Sequence, residues 1–308
     1  MSESAMGATA RAEDQAAGLR ALGRGPEVAA LTGTRCVAIG SGKGGVGKTV
    51  LSVGLSLALS EMGKRVLLFD GDMGLANVDL QMGLVPEYTL QDVLFGQCEL
   101  EQACLKVENG PDVLVSASGA PELVDLGDAR RNLFIENLFR FASRYDFFLV
   151  DTGAGIGRST TDFLAACPEV LVVLTNEPTS LMDAYALIKT LHLRTKEQSL
   201  GVVVNMVDSI DEGEALFAKL DAIAKQFIGA RLALEGVITY DRRVSEAIRS
   251  QRSIVRHAAN GAVAHCLRDL AGRLVSRPRR TAPRVTMEQW MEQWNYSEFL
   301  KAREEAGS

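Results

Sequence analysis

Histidine is scarce in this chain of 308 residues, with three in all: His192, His257 and His265. None forms a metal-ligating pair such as HExxH. Cysteine is thin as well. The five copies (Cys36, Cys98, Cys104, Cys167 and Cys266) are odd in number, and no CxxC occurs. Zinc and iron–sulfur chemistry therefore lack a ligand set, and buried thiols in a reducing cytoplasm are expected. No run approaches the roughly 18 apolar residues of a spanning helix. The first twenty residues, MSESAMGATARAEDQAAGLR, lack an apolar core and carry acids, which argues against a secretory signal. Basic residues number 33 against 39 acidic, a net charge of −6. That balance denies the chain a globally basic nucleic-acid coat, though not a local patch. What is present is ordinary for a globular protein: 47% apolar and 23% charged residues, enough for a sizeable core in one large domain or two small ones.

Three zones follow from composition. Residues 1–34 are Ala- and Gly-rich, with a short helix expected around 11–22 and then a GRGPE linker. Residues 35–275 alternate apolar runs with helical segments: CVAIG at 36–40, RVLLFD at 65–70, DVLVSAS at 112–118, DFFLVD at 146–151, VLVVLT at 170–175, GVVVNM at 201–206 and LEGVI at 234–238. The runs are continuous, not alternating, so both faces of each strand are expected to be buried. This predicts a doubly wound α/β fold, a mostly parallel sheet flanked by helices, with ligands at the carboxyl ends of the strands. Residues 276–308 hold an Arg/Pro linker and then MEQWMEQWNYSEFLKAREE. There Met287, Trp290, Met291 and Trp294 fall on one helical face.

The strongest motif is GSGKGGVGKT at 40–49, placed directly after a strand and opening a helix. It fits GxxxxGKT, a P-loop. Glycines fold the backbone into a nest of N–H groups, and the helix N-terminus adds partial positive charge. Phosphate is the expected ligand, with Gly42, Lys43, Gly44, Gly45, Val46, Gly47, Lys48 and Thr49 around it. Lys48 is suited to the β- and γ-phosphates of a nucleotide and the Thr49 hydroxyl to Mg²⁺. No internal repeat is present, which excludes a duplicated two-site ATPase. No NKxD motif supports guanine.

The second lysine of KGGVGKT, Lys43, makes the loop resemble that of the deviant Walker A ATPases, the family of MinD and ParA. The resemblance implies ATP and Mg²⁺ as cofactors and a homodimer formed on ATP binding. It implies that Lys43 reaches the partner's nucleotide, as an arginine finger does. FDGDMGLANVD at 69–79 and DTGAGIG at 151–157 fit the same family. By resemblance Asp70 supports the Mg²⁺ shell, Asp72 positions the attacking water and Asp151 holds Mg²⁺ through water. Lys43 and Asp72 are thus the catalytic candidates, and Thr49, Asp70 and Asp151 the metal candidates. Asn205 matches the family asparagine that bonds adenine. Asp241, in GVITYDRRV at 236–244, is either a base-flanking residue or a helix N-cap.

Within that family GDMGLANVDLQMGL at 71–84, DTGAGI at 151–156 and EPTSLMDAYALIK at 177–189 resemble FlhG, the flagellar-number ATPases. The last segment suggests a helix capped by Ser180 with Asp183 three residues on. At the amino terminus DQAAGLR carries Asp14, Gln15, Leu19 and Arg20, similar to the element with which FlhG proteins activate the signal-recognition-type GTPase FlhF. Gln15 and Leu19 share a helical face there. The resemblance implies a cytoplasmic switch whose partners include that GTPase, and a flagellar transcription regulator or basal-body protein. The carboxyl-terminal helix is suited to the cytoplasmic membrane surface or to a protein face. Glu288, Glu292 and Glu298 oppose anionic lipid, and the upstream arginines favour it. The alternative is a ParA-like DNA or cargo partitioning ATPase, for which arginines at 242, 243, 249, 252 and 256 are the supporting feature.

Overall fold

Within each apolar run, side chains alternate between two faces of one sheet, and both faces are covered. Cys36, Ala38, Leu67, Phe69, Phe148 and Val150 enter one core layer. Their chain neighbours Val37, Ile39, Val66, Leu68, Phe147 and Leu149 enter the other. A period of two with apolar residues in both phases gives the continuous runs seen in the sequence. The computed structural model describes residues 33–72, 77–116, 137–138, 140–195 and 198–278. The expected segment at 11–22 and the apolar face at 287–294 lie outside the described residues.

The strands are β1 (Arg35–Ser41), β2 (Val66–Gly71), β3 (Cys104–Lys106), β4 (Asp112–Leu114), β5 (Phe147–Ala154), β6 (Glu169–Leu174), β7 (Ser199–Val207) and β8 (Ala233–Thr239). Their order in the sheet is β3-β4-β2-β5-β1-β6-β7-β8. All pairings are parallel except that of β3 with β4. The doubly wound parallel sheet is as expected. β3 is an addition: three residues, only one of them buried, too short to leave a pattern.

The helices are α1 (Lys48–Glu61), α2 (Val78–Met82), α3 (Leu90–Leu94), α4 (Leu100–Ala103), α5 (Arg158–Ala166), α6 (Pro178–Arg194), α7 (Ile210–Ile228), α8 (Arg242–Arg249), α9 (Ile254–His257) and α10 (Ala262–Ser276). Leu51, Leu55 and Leu59 of α1 pack with Leu267 and Leu270 of α10 over the second core layer. Leu187 and Leu191 of α6 and Leu216 and Leu220 of α7 cover the first. Among the described residues no helix is long and apolar enough to cross a membrane. Cys36, Cys104 and Cys167 are buried, Cys98 and Cys266 partly so, and all five are free thiols.

Parallel order brings the ends of β1, β2 and β5 together on one rim. Asp70 pairs in register with Asp151, and Ser41 with Ala154. Every motif quoted at 40–49, 69–72 and 151–157 therefore converges, although the segments are far apart in the chain.

Candidate functional site

The loop from β1 into α1 needs its glycines for two different reasons. Gly45 and Gly47 take φ of +78° and +91°, the left-handed region where a Cβ is strained. At Gly42 an added Cβ would lie 2.2 Å from the Asp183 carbonyl carbon and oxygen, so the loop is pressed against the first turns of α6. Gly47 is the N-cap of α1 and no side chain caps that end. The first N–H groups of a fourteen-residue helix are thus left for an anion.

Lys48 is buried, and its Nζ donates to Ser41 Oγ at 3.0 Å. Burial lowers its pKa, while Asp151 and Asp72 act to raise it. Asp70 and Asp151 are both buried. Desolvation and then the neighbouring Asp151 push Asp70 to about 7. Desolvation lifts Asp151 to about 6, against hydroxyl hydrogen bonds from Thr49 and Ser52 and the charge of Lys48. The Ser52 bond to Asp151 Oδ1 is 2.9 Å. Two buried carboxyls at elevated pKa, beside a hydroxyl, are hard oxygen donors suited to a divalent cation. Among the described residues no group of three or more His, Cys, Asp or Glu could hold a metal alone. A cation shared with phosphates needs only one or two protein ligands.

Asp70 has a further task. Its Oδ1 accepts from the Asp72 N–H at 3.1 Å, and its Oδ2 from Asn77 and Val78 N–H at 3.0 and 3.1 Å. The carboxylate thereby ties the chain after β2 to the start of α2 and fixes Asp72. The Asp72 carboxylate faces Gly153 of the 151–157 loop, where an added Cβ would stand 3.5 Å from Asp72 Oδ1.

Beside the loop lies an open, mainly apolar pocket lined by Val50, Asn205, Met206, Thr239, Tyr240 and Asp241 among others. Asn205 is buried and its Nδ2 donates to the Val46 carbonyl at 2.8 Å. One Nδ2 hydrogen is used there, so Asn205 keeps its acceptor Oδ1 and its second Nδ2 hydrogen for a ligand. Asp241 proves to be the N-cap of α8: its side chain accepts from the Arg243 N–H at 2.9 Å and pairs with the Arg243 guanidinium. Met206, in a left-handed backbone at φ +58°, and the exposed Tyr240 were not singled out by the sequence. Each adjoins a residue that was.

One expected cap is corrected. Glu177, not Ser180, is the N-cap of α6, with Pro178 at the first helical position. Proline lacks only an N–H that would be unpaired there, which makes it the stronger start signal. Ser180 Oγ instead accepts from the Thr175 N–H at 3.0 Å. The arginines around α8 are partly engaged. Arg243 is paired as above, Arg242 lies 3.9 Å from Glu246, and Arg256 donates to the carbonyls of Glu108 and Asn109. Asp14, Gln15, Leu19 and Arg20 lie outside the described residues.

Known proteins resemble this chain over most of its length. A family model described as an AAA domain matches residues 34–202. The antiactivator FleN of Pseudomonas aeruginosa is 40% identical over 256 residues, 83% of this chain and 91% of FleN. The flagellum site-determining protein YlxH of Helicobacter pylori is 33% identical over 246 residues, 79% of this chain and 83% of YlxH. The chain belongs to the FlhG family. FlhG proteins are P-loop ATPases of the MinD/ParA type, and the fold agrees. A structure of MinD from Pyrococcus horikoshii, complexed with Mg-ADP, has a TM-score of 0.65 and 26% identity, and the match covers 79% of this chain and 96% of that one. The rim built from 40–49, 70–72 and 151–157 is the candidate site for that ATPase activity.

Proposed function

We propose that this chain is an ATP-driven dimerisation switch that regulates flagellar number and placement. The observation that carries the reading is the likeness to FleN, named an antiactivator, over most of both chains. It joins a phosphate site whose parts stand within reach of one another. The reaction is attack of water on the γ-phosphorus of ATP, with release of ADP. The loop N–H groups and Lys48 hold the phosphates, and the Thr49 hydroxyl with Asp151 would hold Mg²⁺. When bound, that ion would neutralise charge gathering on the phosphate oxygens. Asp72, fixed by Asp70, orients the water. Lys43 acts across the dimer interface. No general base is needed, since positioning and charge stabilisation supply the catalysis.

Asn205 Oδ1 selects adenine. The exocyclic amine of adenine donates where guanine offers a carbonyl, and two acceptors facing each other repel. Asn205→Ala is expected to weaken ATP binding about ten-fold, the worth of a lost buried hydrogen bond, and to shrink the ATP-over-GTP preference by a similar factor. Titration of both nucleotides against wild type and variant reads this. An unchanged preference would remove Asn205 from base selection.

The output is a change of partner. Residues 1–34 activate an FlhF-type GTPase, with Gln15 orienting the water in the partner's site and Asp14, Leu19 and Arg20 framing it. Residues 276–308 carry the contact with the cytoplasmic membrane surface, which dimerisation strengthens by doubling weak anchors. A flagellar transcription regulator or basal-body protein completes the set. A peptide of residues 1–25 is expected to raise GTP hydrolysis by such a GTPase at least ten-fold, roughly, within the range of a side chain supplied in trans. A Gln15→Ala peptide should lose the effect. Equal stimulation by both peptides, or by neither, would overturn the activator role. Arg243 and Arg256, held in contacts on this chain, weigh against the DNA-partitioning alternative.

A further inference from the structure

Serines recur at every fourth position along α1, as Ser52, Ser56 and Ser60. Ser52 and Ser56 are fully buried, among leucine and valine side chains of the same helix. Serine is a modest helix former, because its hydroxyl competes for the backbone, and a buried hydroxyl needs a partner. Two of the three find that partner within α1. Ser56 Oγ donates to the Val53 carbonyl at 2.8 Å, and Ser60 Oγ to the Ser56 carbonyl at 2.9 Å. Ser52 differs. Its Oγ lies 3.0 Å from the Lys48 carbonyl and 2.9 Å from Asp151 Oδ1 on β5. A hydroxyl has one proton to give, and the bond to an ionised carboxylate is the stronger. The proton therefore goes to Asp151 whenever that group is charged.

We propose that Ser52 is a positioning residue of the ATP site, holding the Asp151 carboxylate in the orientation that receives Mg²⁺. The proposal rests on the reading of Asp151 as a residue that holds the ion. The last torsion of an aspartate has broad, roughly two-fold wells, so the side chain does not fix the plane of its own carboxylate. Asp151 is buried, which leaves that task to protein donors. Thr49 is one of them, but its hydroxyl oxygen is also the one suited to Mg²⁺. Ser52, one turn further along α1, has no other task at the site. A group that hydrogen-bonds a ligating carboxylate changes the grip on the ion about ten- to a hundred-fold. The requirement for that bond explains a serine at 52, where every neighbour in the layer is apolar and leucine or alanine would make the better helix.

Ser52→Ala and Ser56→Ala on the full chain test this. Each removes a fully buried hydroxyl from the same helix, and alanine is the better helix former, so a weakened helix cannot separate them. Mn²⁺ serves as the probe ion. Its electron spin resonance spectrum, recorded with one equivalent of ADP, reads the bound ion without turnover. Ser52→Ala is expected to weaken Mn²⁺ binding about ten-fold, and Ser56→Ala to leave it as in wild type. In ATP hydrolysis, Ser52→Ala should raise the Mg²⁺ concentration at half-maximal rate by a similar factor, and excess Mg²⁺ should restore most of the rate. Ser52→Cys keeps the size and a weak donor, and should fall between wild type and Ser52→Ala in both measurements. Equal weakening by Ser52→Ala and Ser56→Ala, no weakening by Ser52→Ala, or a lost rate that excess Mg²⁺ does not restore would each overturn the role of Ser52. A wild-type chain that takes up no Mn²⁺ with ADP would instead defeat the reading of this rim as a nucleotide and metal site, and the proposal with it.

Discussion

Gly42→Ala is expected to lower ATP turnover about a hundred-fold while leaving the chain folded. The added Cβ would sit 2.2 Å from the Asp183 carbonyl carbon and oxygen and 2.7 Å from its Cβ. These are helix backbone and the root of a side chain, which no rotamer change can move aside. Either the loop or the start of α6 must shift. Overpacking of this kind costs about 1–3 kcal/mol, a few degrees of melting temperature in a domain of this size. Activity suffers more, because the loop N–H groups must meet phosphate oxygens, and a displacement near 1 Å costs about 10²-fold. Gly45→Ala is the control. Nothing lies within 4 Å of a Cβ there, and only the left-handed φ of +78° is strained, at roughly 1–2 kcal/mol. Its turnover should fall less than that of Gly42→Ala. Rates and melting curves of the two variants decide the matter. A Gly42→Ala protein within three-fold or so of wild type would mean that α6 yields, and that the loop is not held where the structure places it.

This dependence on α6 marks the boundary of what the sequence made legible. The P-loop could be read because its chemistry is contiguous: nest, lysine and hydroxyl lie within 42–49, in one string. The strands could be read because burial on both faces writes continuous apolar runs. Their convergence on one rim followed from parallel topology alone. The contacts that cross the chain were not legible. Asp151 lies 99 residues from Ser52, and Asn205 lies 159 from Val46; no spacing rule joins them. Ser180 with Asp183 imitated a capping box, but Pro178 two residues earlier had already set the helix start. Asp70 matched a metal-shell position by resemblance, yet its three backbone partners are supplied by a fold the motif cannot describe. Local pattern thus gave the groups and their rim, while long-range packing set which partner each group has in the resting state.

The opposite rim depends on a different kind of interaction, and Arg35→Leu is expected to destabilise the chain by about 3 kcal/mol without altering turnover per folded molecule. Arg35 starts β1 and Glu169 starts β6, adjacent strands whose other ends carry the P-loop and the start of the chain leading to α6. The pair is bidentate, Nε to Oε1 and Nη2 to Oε2 both at 2.7 Å, and the two side chains are 4% and 8% exposed. Arg35 Nη1 also donates to the carbonyls of Leu274 and Arg277, fastening the end of α10 to the sheet. Leucine at this position would leave a buried carboxylate and two carbonyls without their donor. Breaking a buried pair from one side costs about 3–5 kcal/mol. Arg277 lies close enough to feel the charge of Glu169 and already pairs with Glu235, so it would take up part of the loss and hold the cost near the lower end. At about 2–4 °C per kcal/mol the melting temperature should drop by roughly 6–12 °C. Arg35→Leu with Glu169→Leu should recover most of that, since it removes the stranded charge along with its partner. Urea and thermal melts of the single and double variants form the cycle. A single-variant loss below about 1 kcal/mol would be the behaviour of a solvated surface pair and would refute burial of this network. A fall in turnover per folded molecule would show that strain at the starts of β1 and β6 reaches their far ends, and that the two rims are not mechanically separate.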